Sequence, residues 1–443
     1  MNRRALLGTL AAAPWAKTAT NQPNIVLLFA DDMGQADVGC YGGKEVPTPN
    51  IDSIAKNGVR ITDGYVSCPY CSPTRAGMMT GRYQTHFGHE FNPGPAEAAV
   101  ANFGLPLSET TMARRLKDLG YRTGIFGKWH LGYRDEFHPL KRGFDEFYGF
   151  LGGAHSYLNA RADGANPIYD GHQAVSQLEH TTDAFGQRAA QFIEANKDRP
   201  FFAYVPFNAV HGPMETLKRY EDRFPQIADP KRRTYAGMLS ALDDNIGLIL
   251  KTLDRHKLTA NTLVVFLADN GGPTPVNTSR NDPFHGFKAQ VWEGGIRIPF
   301  AMQWPGKIPK GKVYSHPVIA LDLLPTFVAA AGGQPDASWK LDGVDLVPFL
   351  ANKKPGVPHE RLFWRFGRQW AMREGDWKLM SMGEGDPLLF NLKSDVGELR
   401  NLADGQPARV KTMKDAWDSW NQKNIPPRWI PAAQRNQKKK KQA

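Results

Sequence analysis

Asn24-Ile-Val-Leu-Leu-Phe-Ala30, followed at once by Asp31-Asp32, is the stretch on which the reading of the fold turns. An unbroken apolar run of this length lacks the in-out alternation of a half-exposed strand and predicts a parallel strand covered on both faces. The layout returns at Thr262-Leu-Val-Val-Phe-Leu-Ala268, which ends in Asp269-Asn270 and two glycines. Between the two runs, Ser108 is positioned to cap a helix reaching Leu119, with Gly120 to stop it, and Tyr121 to Phe126 reads as the next strand. A helix over Asp183–Asn196, a buried strand over Phe201–Val205 and a long helix over Thr234–His256 follow. This alternation predicts an α/β fold, a mixed and mostly parallel sheet sandwiched by helices. Ligands in such sheets bind outside the carboxyl ends of the strands, where Asp31, Asp32, Lys128, His130, His211, Asp269 and Asn270 all fall.

Beyond residue 360 the pattern changes. Arg361–Phe366, Trp370–Arg373, Trp377–Met382 and Leu388–Leu392 are short, closely spaced strand candidates, predicting a smaller C-terminal antiparallel α+β subdomain. The expected organisation is a signal segment at 1–20, a catalytic domain at 21–358, the subdomain at 359–431 and a basic tail at 432–443.

Hydrophobic residues make up 41% and aromatics 11% of the 443, a globular composition. No internal apolar run approaches the roughly 20 residues that span a bilayer, so no integral membrane segment is expected. The net charge of +11 suggests a polyanion partner until it is divided along the chain: Arg3, Arg4 and Lys17 carry +3, Arg435 and Lys438 to Lys441 carry +5, and +3 remains for the body. A nucleic-acid partner is therefore not expected, and attraction for an anionic substrate must be local to a pocket. The opening Met1-Asn-Arg-Arg-Ala-Leu-Leu-Gly with its twin arginine and small residues has the layout of a twin-arginine export signal, predicting a periplasmic or extracellular protein. Only Cys40, Cys68 and Cys71 occur, too few and odd in number for a disulfide framework.

The segment richest in chemistry is Cys71-Ser-Pro-Thr-Arg-Ala-Gly-Met-Met-Thr-Gly-Arg82. Pro73 suits the first turn of a helix, which would leave residue 71 at its positive N-terminus with Arg75 one turn on. Two other readings stand beside a nucleophilic one. Cys68-Pro-Tyr-Cys71 has the four letters of a glutaredoxin redox site, and both thiols could equally be inert and buried. The oxygen-only set Asp31, Asp32, Asp269 and Asn270 suits a hard cation such as Ca²⁺ or Mg²⁺ and disfavours Zn²⁺, although each pair alone could be a turn or helix cap.

Cysteine, then proline two positions on, arginine four positions on, and Thr80-Gly81 downstream, resembles the signature of the type I, formylglycine-dependent sulfatases, within the alkaline-phosphatase-like superfamily. The resemblance extends from Asn24 to about Leu402, departing only in Thr74, where serine is common, and in the extra Cys68. It implies that Cys71 is oxidised to formylglycine by a transient partner, the formylglycine-generating enzyme, and that one divalent ion, usually Ca²⁺, lies among Asp31, Asp32, Asp269, Asn270 and residue 71. Gly127-Lys-Trp-His-Leu-Gly132, Asn208-Ala-Val-His-Gly-Pro213 and Gly286-Phe-Lys-Ala-Gln-Val-Trp-Glu-Gly-Gly295 resemble further family sites, implying catalytic roles for Lys128, His130, His211 and Lys288. The implied mechanism has one hydroxyl of the hydrated aldehyde attack sulfur, Arg75 and the metal stabilising its alkoxide. His211 with Lys288 protonates the leaving alcohol, Lys128 binds sulfate oxygens, and His130 takes the proton from the second hydroxyl as sulfate is expelled.

A sulfated carbohydrate is the expected substrate. The same superfamily hosts phosphodiesterases and phosphonate hydrolases, and an unmodified Cys71 would leave a non-catalytic binder of sulfated glycans. His86, His89, His155, Tyr157, Arg280 and His285 are candidate pocket residues because they lie in loops near the catalytic segments.

Overall fold

A computed structural model of the chain describes residues 22–94, 103–161 and 166–430. The expected signal segment and basic tail lie outside them. Strand β1 (Asn24–Ala30) is buried at every position, as its apolar sequence requires. It joins β2 (Val59–Ile61), β4 (Arg122–Lys128), β5 (Glu146–Phe150), β6 (Tyr169–Asp170), β7 (Gln173–Ala174), β8 (Phe201–Pro206), β9 (Thr262–Ala268), β10 (Phe300–Gln303) and β11 (Lys312–Tyr314) in one ten-stranded sheet. The short β3 (Gly64–Tyr65) pairs instead with β12 (Val318–Ile319).

The sheet order is β11-β2-β10-β9-β1-β8-β4-β5-β6-β7, so the four strands that precede the chemistry-bearing residues, β9, β1, β8 and β4, are consecutive neighbours. All four run parallel. Helices Thr181–Ala195, Pro230–Arg255 and Pro49–Asn57 pack together as one layer, and Cys71–Thr80, Met112–Asp118 and Leu323–Ala330 as another. Mixed α/β architecture is thus as the sequence pattern predicts.

Two helix starts differ from expectation. The helix expected from Ser108 starts at Met112, because the Thr111 hydroxyl accepts the Arg114 amide proton as the cap. The long helix begins at Pro230, upstream of Thr234, because Asp229 caps it and Pro230 fits its first turn.

Strands β13 (Arg361–Phe366), β14 (Gln369–Glu374), β15 (Trp377–Ser381) and β16 (Leu388–Asn391) form a separate antiparallel sheet in chain order, with the helix Pro407–Asn421 packed on β14 and β15. A buried charge network ties this sheet to the segments beside the large one: Lys378 Nζ lies 2.9 Å from Glu293 and 2.7 Å from Glu398, and Arg373 Nη1 lies 2.6 Å from Asp63, just after β2. Among the described residues no helix is long and apolar enough to cross a membrane.

The parallel strands approach closely where β4 passes β8. Gly127 has φ +139°, and a Cβ there would sit 2.0 Å from the Pro206 carbonyl oxygen. Gly127→Ala is expected to cost about 3 kcal/mol of stability. Denaturant unfolding checks this, and an unchanged midpoint would contradict the close approach.

Candidate active site

The register of the central strands builds the acidic floor of the site. Ala30 pairs with Ala268 as the last rung of β1 and β9, and the Asp269 amide still donates to the Ala30 carbonyl at 3.1 Å. Asp31 and Asp269 therefore emerge side by side. Asp32 takes a left-handed conformation, φ +59°, and its amide donates to Asp269 Oδ1 at 3.2 Å. Such a backbone costs an aspartate on the order of 1 kcal/mol, a strain characteristic of functional positions. All three carboxylates and Asn270 are buried.

Cys71 opens the helix Cys71–Thr80 on the opposite side, with Tyr70 as its N-cap residue. Its Sγ lies 3.7 Å from Asp31 Oδ1. Arg75, one turn on and fully buried, donates to Asp269 Oδ2 from Nη2 at 2.8 Å and from Nε at 3.2 Å, and its Nη2 lies 3.4 Å from Asp31. Two further cations complete the charge balance. Lys128 at the end of β4 pairs with Asp31 through a very short contact, and Lys288 Nζ lies 2.6 Å from Asp32 Oδ1.

Burial alone would raise the Asp31 carboxyl, but Lys128, His211 and Arg75 outweigh it and hold the group below the usual range. Lys288 and His211 do the same for Asp32 against its burial. Asp269 stays raised by burial and by the neighbouring Asp31, despite Arg75. The Cys71 thiol is pushed up to about 12, chiefly by burial, and burial also carries Cys68 well above its ordinary value. A glutaredoxin-type site needs a stabilised thiolate, so this environment runs against the redox reading.

The two histidines differ in setting. His130, at φ +58°, is buried, and burial followed by the charges of Lys128 and Arg75 keeps its imidazole neutral. Its backbone carbonyl accepts from the Ser72 hydroxyl at 2.6 Å, and Ser72 Oγ also lies 2.6 Å from His89 Nε2. His211 Nδ1 lies 2.6 Å from the Gly212 carbonyl, a donor contact that leaves Nε2 facing Asp32 Oδ2 at 3.5 Å. Burial lowers its pKa, with Lys288 adding to the effect and Asp32 opposing it. The His211 side chain keeps 21% of its exposure and that of Lys288 12%, against none for Arg75 and Lys128. His211 and Lys288 therefore stand at the mouth, with Arg75 and Lys128 beneath.

The residues present fit a hard divalent cation. Asn270 Oδ1 is buried and accepts no hydrogen bond, while its Nδ2 donates to Asp32 Oδ1 at 2.8 Å. Ligand atoms of Asp31, Asp32, Cys71 and His211 all lie within 4.8 Å of one another. Asp269 contributes less freely, since Oδ2 accepts from Arg75 and Oδ1 from the Asp32 amide.

The candidate pocket residues separate by partner. Tyr157 donates its hydroxyl to the carbonyls of Asn208 at 2.6 Å and His211 at 2.8 Å, so it shapes the His211 loop. His89 supports Ser72 and packs edge-on against Trp429. His86 lies 3.4 Å from Asp342 and against Tyr83 and Trp420, and His155 Nδ1 lies 2.7 Å from the Ser156 carbonyl. Arg280 pairs with Glu45 at 3.2 Å while its backbone carbonyl accepts from Ala36, and His285 lies against Trp292. Sequence reasoning missed Asn277, whose Nδ2 donates to the Asp32 and Val210 carbonyls at 3.1 and 3.3 Å and so joins two catalytic loops. It carries no local signal beyond being an asparagine after a loop. Ser72 was legible only as the neighbour of Cys71.

The family model described as Sulfatase matches residues 23–333, which hold every residue of this cluster. The chain belongs to the sulfatase family. It is therefore a sulfuric ester hydrolase. A second model, described as N-sulphoglucosamine sulphohydrolase, C-terminal, matches residues 285–422. This sulfatase is similar to Arylsulfatase J of Mus musculus, 32% identical over 94% of the chain and 79% of that protein. It is 35% identical to N-acetylgalactosamine-6-sulfatase of Canis lupus familiaris over 78% of the chain and 69% of the relative. The crystal structure of Ps i-CgsB in complex with k-i-k-neocarrahexaose superposes with a TM-score of 0.88 at 35% identity, covering 93% of this chain and 96% of that one.

A raised thiol pKa means less thiolate at any given pH below it. Unconverted Cys71 in the folded sulfatase is expected to alkylate at pH 8 roughly a thousandfold more slowly than a free cysteine, the rate still climbing above pH 10. Residue-resolved mass spectrometry after iodoacetamide treatment measures it, and rapid labelling would restore the redox reading of Cys68 and Cys71.

Proposed function

We infer that this sulfatase removes sulfate from a sulfated carbohydrate, using formylglycine made from Cys71 and one divalent cation, Ca²⁺ or alternatively Mg²⁺. The observation that carries the reading is the placement of Cys71 at a helix N-terminus, 3.7 Å from Asp31 and beside the Lys128 and Arg75 cations. The carbohydrate is favoured because one relative is named for an N-acetylgalactosamine sulfate and the similar crystal structure holds a neocarrahexaose.

As formylglycine, residue 71 supplies a hydrate with two hydroxyls, one to displace the substrate alcohol from sulfur and one to expel sulfate afterwards, which no unmodified side chain offers. Asp31, Asp32, Asp269 and Asn270 would hold the cation, which supplies neutralisation for a dense set of oxygens. Arg75, buried and aimed at the floor, stabilises the alkoxide of the attacking hydroxyl, and Lys128, equally buried, orients the sulfate oxygens. His211 keeps its Nδ1 proton on the Gly212 carbonyl, so to act as general acid it takes up a second proton at Nε2, which faces Asp32, and delivers that proton to the departing alcohol oxygen, with the Lys288 ammonium beside it. His130 is kept neutral by its surroundings and accepts the proton released as sulfate leaves. Export by a twin-arginine route, with conversion of Cys71 by the formylglycine-generating enzyme, completes the proposal.

Cys71→Ala is expected to lower turnover by roughly 10⁴-fold or more while unfolding stays cooperative. The test pairs a panel of sulfated oligosaccharides, with aryl phosphate as the competing substrate, and mass spectrometry of the residue 71 peptide. Retained activity in the variant, preference for the phosphate, or an unmodified thiol in active enzyme would each overturn the reading.

Chelation should remove activity and lower the thermal midpoint, both restored by Ca²⁺. At a hundredfold excess over Kd the ion contributes about 2.7 kcal/mol of stability. A midpoint indifferent to chelator and Ca²⁺ would remove the metal from the proposal.

A further inference from the structure

Lys288 stands on a loop, and its ammonium must be held at the mouth of the site by something other than a strand or helix. The residue after it, Ala289, has φ +67°, a left-handed conformation that a residue with a Cβ holds only when its surroundings fix it. The Ala289 amide donates to the Pro69 carbonyl at 2.8 Å, which ties the loop to the segment leading into Cys71. On the other side stands the tip of the β13–β14 hairpin. Gln369 Nε2 donates to the Ala289 carbonyl at 3.0 Å, and its Oε1 accepts from the Val291 amide at 3.2 Å. One side chain thus bridges the backbone on both sides of Gln290.

The hairpin tip is itself anchored. The Gly367 amide donates to Glu90 Oε1 at 2.7 Å, and Arg365 pairs with the same carboxylate at 2.7 Å. Phe366, at the base of the turn, packs on Tyr70 with centroids 5.3 Å apart, and the Tyr70 ring lies 5.4 Å from Lys288 Nζ. The hairpin therefore reaches Lys288 by two routes, through its backbone and beneath its ammonium.

We propose that Gln369, on the C-terminal sheet, is a positioning residue for Lys288, gripping the Ala289–Val291 backbone so that the ammonium stays beside Asp32 and the leaving oxygen. The inference rests on the role given to Lys288 above. The amide is the group that fits, because it offers a donor and an acceptor to a carbonyl and an N–H two residues apart. Methionine matches its length and offers neither.

The test uses the converted, metal-loaded enzyme with 4-nitrophenyl sulfate and with phenyl sulfate, whose leaving oxygen has the greater need of a proton. Gln369→Met is expected to lower kcat for phenyl sulfate about tenfold with KM changed less than about threefold, and to lower it less for 4-nitrophenyl sulfate. In the Lys288→Ala background the same substitution should change kcat by less than about twofold. Equal loss on both substrates, an undiminished loss in the Lys288→Ala background, or no loss at all would each overturn the positioning role. If Lys288→Ala itself leaves kcat unchanged, the catalytic role of Lys288 falls first and this inference with it. A loss for Lys288→Ala without one for Gln369→Met sinks only the inference.

Discussion

Two parallel strands ending on the same rung, each followed by an aspartate, are the constraint from which the rest of this sulfatase follows. Register places Asp31 beside Asp269 where neither reaches solvent, and Asp32 folds back onto the same spot. Buried like charges at such separations are sustained only with compensating cations and hydrogen bonds, since an unpaired buried carboxylate costs several kcal/mol. Arg75, Lys128 and Lys288 supply the compensation from three different elements, a helix, a strand end and a loop. The floor thus draws the distant parts of the chain to one place. It also explains why a divalent cation suits the site, for Lys128 and Lys288 are otherwise engaged with carboxylates. An ion among the oxygens would share that neutralisation and leave the ammonium groups, still beside their carboxylates, with charge to spare for an anionic substrate.

The same floor was the most legible part of the sequence. Residues 24–30 and 262–268 are apolar without alternation, and only a strand buried on both faces accounts for them. Acidic residues directly after such strands fall at the ligand-binding edge of any α/β sheet, so the sequence alone places Asp31, Asp32, Asp269 and Asn270 together. Helix starts were less legible. Thr111 and Asp229 won over Ser108 and Thr234 as starting points because capping depends on which hydroxyl or carboxylate meets an open amide, and several polar residues in each window satisfied the composition rule equally.

Least legible were the residues that hold other residues. Asn277 joins the Asp32 and His211 loops, Tyr157 fixes the carbonyls around His211, and Ser72 links His89 to the His130 carbonyl. Each acts through hydrogen bonds between segments tens to hundreds of residues apart. No periodicity or motif records such pairings, because they are set by tertiary approach and not by local propensity. The adjacency of Ser72 to Cys71 says that the serine is near the nucleophile, but nothing in the sequence says that it faces His130.

The gradient of exposure across the cluster connects this architecture to its chemistry. Arg75 and Lys128 are sealed in, whereas His211 and Lys288 retain some contact with solvent. Under the proposed mechanism a sulfate ester would enter sulfate first, its anionic end toward the buried cations and its alcohol toward the two groups at the mouth. Chemistry common to any sulfate ester belongs to the strand ends and the helix N-terminus, which the parallel sheet makes rigid. The segment that leads to Lys288 carries the exposed side chains of Arg280 and His285 on a backbone bonded to Ala36, Asp37 and Gly294. Lys288 is the point where the two regimes meet: its partner Asp32 belongs to the rigid floor, and its backbone belongs to the rim. A second sheet against that rim, its Lys378 paired with Glu293 of the helix that follows the Lys288 loop and with Glu398, gives a mobile type of element a fixed place to stand.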